Sequence, residues 1–148
     1  MNNQRRNVLK SGSGAALLSV LAAAGIITPG VALADWNKAA FDAKSMADTL
    51  KAIGAGTPTD SKDVQVTGPD IAENGAVVPV GVSSTLPNIT MVAILIEKNP
   101  NALSAVFNLP EGTEANVQTR VKMGQTSNVY ALVKSDGKFF MATKEIKV

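Results

Sequence analysis

The dipeptide Asp136-Gly137 sits between two apolar runs, Asn128–Lys134 and Lys138–Val148, and it constrains the fold more than any other feature of the chain. A type I′ turn needs positive φ at both central residues, which Asp and Gly tolerate, so the pair predicts a tight hairpin. A two-residue loop then sets the register: Lys134 opposite Phe139, Val133 opposite Phe140, Leu132 opposite Met141 and Ala131 opposite Ala142. One face carries Tyr130, Leu132, Phe139 and Met141, the other Val129, Ala131, Val133 and Phe140. A sheet with one wet side alternates more cleanly. This hairpin therefore needs cover on both faces, one supplied by a second sheet and the other by a candidate partner protein.

Further strands are predicted upstream. Val117, Thr119, Val121 and Met123 alternate along one. Ile89–Ile96 is an almost unbroken apolar run that reads as a strand covered on both faces. Asp63–Thr67, Ala76–Val82 and Ser104–Leu109 complete the set, with Pro79 pointing to an edge or a bulge. About seven strands separated by turn signals fit an all-β sandwich. One amphipathic helix is expected over 35–54, with Trp36, Ala40, Ala43, Met46, Leu50 and Ile53 at helical spacing and Gly54-Ala55-Gly56-Thr57-Pro58 as its stop.

Residues 1–34 read as a removable leader. Asn3–Lys10, with the pair Arg5-Arg6, resembles a twin-arginine export signal, and Ala32-Leu33-Ala34 is a cleavage site before Asp35. The competing readings are a general secretory signal or an uncleaved anchor, but the 13 mildly apolar residues Ala15–Ile27 fall short of the roughly 20 needed to span a bilayer. The twin-arginine route moves folded proteins. With no cofactor motif in the chain, a folded partner lacking its own signal is the better reason for that route.

Charge and composition exclude several classes. Removing the three basic residues of the leader from 14 leaves 11 against 12 acidic ones, so the expected mature chain, 35–148, has no basic footprint for nucleic acid. No His and no Cys means no imidazole or thiolate site for catalysis or metal binding within these 148 residues. Asp70 and Glu73 are the closest carboxylate pair worth weighing. Two ligands fall short of the about six oxygens that calcium takes, so Asp70 is read as a helix cap. Ser135-Asp136-Gly137-Lys138 matches a catalytic Ser-x-x-Lys pattern literally, but that pattern needs a helical turn and Asp-Gly favours a hairpin. Gly54-x-Gly56 neither follows a strand nor opens a helix, so it is no phosphate loop. Asn88-Ile89-Thr90 fits a glycosylation pattern but opens an apolar strand.

Several segments together resemble one family: Ile71–Val80, Glu97-Lys98-Asn99-Pro100, Arg120–Val129, Asp136–Phe140 and Lys144–Val148. They resemble SoxY, the sulfur-carrier subunit of bacterial thiosulfate oxidation. The resemblance implies an immunoglobulin-like antiparallel β-sandwich, a periplasmic location, a non-catalytic role and no cofactor. It also implies a heterodimer with a SoxZ subunit that has no leader, and transient docking to the Sox enzymes. In that family the last strand runs into a Gly-Gly-Cys-Gly-Gly arm whose Cys holds the sulfur intermediate. Here Lys144, Glu145, Ile146, Lys147 and Val148 correspond to the base of the arm, and the expected Cys lies beyond Val148. Two readings stay open: the 148 residues stop short of the natural end, or the chain is a tailless paralogue that binds or assembles without carrying substrate.

Overall fold

The computed structural model describes residues 37–148. The expected leader with its Arg5-Arg6 pair, the expected cleavage site between Ala34 and Asp35, and Trp36 lie outside the described residues. Two short helices, α1 (Lys38–Asp42) and α2 (Met46–Ile53), precede eight strands: β1 (Thr59–Asp60), β2 (Val64–Thr67), β3 (Val78–Ser84), β4 (Ile89–Ile96), β5 (Leu103–Asn108), β6 (Asn116–Val121), β7 (Ser127–Ser135) and β8 (Lys138–Ile146). They form a five-stranded sheet, β1-β8-β7-β4-β5, and a three-stranded sheet, β2-β3-β6. The described residues form an immunoglobulin-like β-sandwich.

The hairpin register is the one the turn dictates, with Lys134–Phe139, Val133–Phe140, Leu132–Met141 and Ala131–Ala142 paired. Asp136 at φ 48° and Gly137 at φ 76° make the type I′ turn. Asn88, also at φ 48°, braces it: its Nδ2 donates to Asp136 Oδ1 at 2.8 Å.

Strand β4 shows why both hairpin faces are apolar. Val92, Ile94 and Ile96 join Val129, Ala131, Val133, Phe140 and Ala142 in the core between the sheets. Ala93 and Leu95 join Leu132, Tyr130 and Phe139 in a second core. That second core is closed by Ala40, Phe41, Met46, Leu50 and Ile53 of the helices. The cover assigned to a partner protein is therefore supplied by the chain itself. Each fully buried Leu or Ile in these layers is worth about 1.5–3 kcal/mol.

The single helix expected over 35–54 is two. Ala43 is extended (ψ 134°) and Ser45 starts a new helix, its Oγ accepting from Asp48 N at 3.1 Å. The local cap outcompetes continuation of the periodic pattern. Gly54, left-handed at φ 80°, ends α2. Pro79 lies in the central strand of its sheet rather than on an edge, but β2 pairs only with Gly81–Ser84, so the strand is locally open beside Pro79. The sandwich is not wholly antiparallel either: β1, too short for its residues to signal, runs parallel to the edge of β8.

Candidate functional site

The candidate site is where β8 ends. Ile146 is fully buried in the inter-sheet core and holds the strand end down. Glu145, opposite Asn128, stays exposed. Lys144 turns inward: its Nζ donates to the Gly68 carbonyl at 2.7 Å and meets Asp70 Oδ1 at 3.0 Å. The Lys144 side chain is 30% exposed and that of Asp70 90%, so the carbonyl bond is the better shielded of the two.

Beyond Ile146 the chain keeps strand geometry by pairing with a distant loop. Lys147 forms a parallel bridge with Ile71, donating its N–H to Asp70 O at 3.0 Å and accepting from Ala72 N at 2.7 Å. Val148 N donates to Thr126 Oγ1 at 3.0 Å. Gly75 packs against this end so closely that a Cβ there would lie 2.6 Å from Val148 Cγ1 and 2.4 Å from Met123 O. The requirement for glycine at 75 is one of space, because Met123 N also donates to Gly75 O at 2.7 Å.

The loops 68–76 and 122–126 thus grip the last two residues from two sides. Ile71, Val77 and Val148 are the large hydrophobics left exposed among the described residues. The arrangement holds no thiol. It fixes the position and direction in which the chain arrives at Val148.

All five residues expected at the base of the arm are gathered here, Lys144 to Ile146 in β8 and Lys147–Val148 in the grip. Asp70 does not cap a helix, since no helix follows it; its carboxylate faces Lys144 and its carbonyl takes Lys147 N. Glu73 is exposed, and no group of three or more acidic side chains converges among the described residues. Ser135 does not flank a solvated turn: it is buried, its hydroxyl donating to Pro87 O at 2.5 Å. Thr126, Gly68 and Gly75 were not singled out from the residues, since a tertiary grip leaves no local signal beyond loop-forming types.

Among the described residues no helix is long and apolar enough to cross a membrane. The family model of the sulfur oxidation protein SoxY matches residues 50–148. No curated protein matches the sequence. Among solved structures, the sulfur carrier protein SoxY from Chlorobium limicola f thiosulfatophilum is 33% identical, with a TM-score of 0.65, over 76% of this chain and 99% of that one. A superoxide reductase (neelaredoxin) from Ignicoccus hospitalis shares the fold alone, at 20% identity and a TM-score of 0.52 over 57% of this chain and 79% of its own. The matched span takes in the end of α2, all eight described strands and the grip on Lys147 and Val148, and on that ground the chain belongs to the SoxY family.

Proposed function

We propose that this protein is a non-catalytic periplasmic carrier that holds sulfur intermediates covalently on a Cys beyond Val148. It presents them to the enzymes of thiosulfate oxidation, as a heterodimer with a SoxZ-like subunit. Membership of the SoxY family and the likeness to a solved sulfur carrier support the carrier role. The observation that carries the reading is the grip on Lys147 and Val148, which gives a mobile arm a rigid point of departure.

The chemistry asks for a thiolate. It attacks sulfur, keeps the adduct as a disulfide-like link and releases it by exchange. Nothing else in these 148 residues offers a competing thiol, since they contain no Cys. Glycines around the reactive residue let an arm enter narrow active sites with little side-chain bulk. Export by the twin-arginine route, through Arg5-Arg6 and cleavage between Ala34 and Asp35, carries a folded leaderless companion outward with the chain.

Reading the gene past codon 148 and purifying the natural protein from the periplasm tests both parts. The reading expects a Cys-bearing arm and a companion subunit that co-purifies. A stop codon at that position would leave a binding or assembly role. A protein isolated without any companion would remove the heterodimer.

A further inference from the structure

Asn74-Gly75 is the one Asn-Gly pair in the 148 residues, and it lies inside the grip on the end of the chain. Glycine after asparagine leaves the backbone nitrogen open to approach, because no Cβ stands beside it. Every other Asn among the described residues is followed by a residue that carries a side chain. Gly75 serves the grip, but the Asn74 side chain touches neither Lys147 nor Val148 through any hydrogen bond.

Three features of the loop favour one reaction at this pair. Asn74 Oδ1 accepts from Ala76 N at 3.0 Å, closing a ring that contains both the Asn74 amide carbon and Gly75 N. Asn74 O accepts from Val77 N at 3.2 Å, so a tight turn keeps those two atoms close. Gly75 N donates to nothing among the described residues, and neither does Nδ2 of the exposed Asn74. The Ala76 N–H thus meets the oxygen that gains negative charge when the amide carbon is attacked, which is the role of an oxyanion donor.

We propose that Asn74 deamidates through Gly75, and that the conversion loosens the grip on Val148. Gly75 N gives its proton to hydroxide and bonds to Asn74 Cγ; the Cγ–Nδ2 bond breaks, and ammonia leaves with a proton taken from water. The product is a five-membered succinimide. Water opens it at either carbonyl, to aspartate or to isoaspartate. One water is consumed and one ammonia released, with no change of oxidation state. Isoaspartate runs the chain through the former side-chain carbon and adds one backbone atom before Gly75. The turn has no slack for it, since a single Cβ on Gly75 would already lie 2.4 Å from Met123 O and 2.6 Å from Val148 Cγ1. The 2.7 Å bond from Met123 N to Gly75 O is the first to give. The site stands on the geometry of the loop, apart from the carrier reading.

Timed incubation of the full chain in mildly alkaline buffer, followed by peptide mapping that separates aspartate from isoaspartate, tests the site. Asn74 is expected to convert at least about tenfold faster than Asn101 or Asn116, and to yield both products. The rate should rise with pH, as loss of the Gly75 proton requires. Unfolding in urea removes the Ala76 bond and should slow the conversion. A faster reaction in urea would mean that the fold shields the pair, which overturns the proposal. Amide exchange at Met123 and Val148 should accelerate in aged protein, and not in equally aged Asn74→Gln, whose longer side chain closes an imide ring far more slowly. Conversion of Asn74 no faster than that of the other asparagines also overturns it, as does isoaspartate at 74 with exchange at Met123 unchanged.

Discussion

Lys147 and Ile71 stand 76 residues apart in sequence and meet as a parallel bridge, with Lys147 N–H on Asp70 O and Lys147 O on Ala72 N–H. Through this pairing the end of β8 is held by a loop from outside its own sheet. Lys147 and Val148 are thereby tied to the sandwich core, to which Ile146 belongs. An arm leaving Val148 would swing from a fixed point rather than from a frayed strand.

Gly75 is the tightest part of this grip. Gly75→Ala should destabilise the protein by about 2 kcal/mol or more, since the new Cβ meets the Met123 backbone, which cannot move aside as a flexible side chain could. Gly124→Ala, with open space at its Cβ, should change stability by less than about 0.5 kcal/mol. Thermal unfolding reads both, and amide exchange at Lys147 and Val148 should accelerate only in the first.

Lys144 and Asp70 should respond unequally. Lys144→Met removes the shielded bond to Gly68 O and should cost about 1 kcal/mol. Asp70→Asn removes only an exposed partner and should cost less than about 0.5 kcal/mol. Urea unfolding of the two variants decides the order, and equal losses would count against it.

The hairpin turn should be sensitive to backbone strain alone. Gly137→Ala places a Cβ in open space but at φ 76°, so a loss of about 1 kcal/mol is expected from strain without any clash. Asn88→Ala should lose a similar amount, because it removes the brace to Asp136 and leaves Ala at φ 48°.

Both cores should carry the fold. Ile94→Ala in the inter-sheet core and Leu132→Ala under the helices should each cost about 2–5 kcal/mol, since both side chains are fully buried. A negligible loss for Leu132→Ala would mean that the helices cover the sheet only loosely.

These elements also mark what the residues disclose and what they withhold. Asp136-Gly137 announces its register because turn type and strand pairing are coupled within a few residues. Ile89–Ile96 announces a doubly covered strand through an apolar run without alternation. What does the covering is less legible, because apolar helices of the same chain and a partner surface ask for the same side chains. The break at Ala43 is hidden by periodicity that continues through it, although Ser45-x-x-Asp48 is a cap signal in hindsight. The resemblance to the family points to Lys144–Val148 as the expected base of an arm, but not to how that segment is held. Pairing of Lys147 with Ile71, and of Val148 with Thr126, joins segments with no local pattern in common.

The carrier role is tested most directly by intact-mass spectrometry of the natural protein, purified from cells grown on thiosulfate, followed by peptide mapping of the segment after Val148. The account predicts a sulfur-bearing adduct on a Cys in that segment, removed by a thiol reductant, with none on residues 37–148. A natural protein with no thiol beyond Val148, or a thiol that never gains mass, would contradict it.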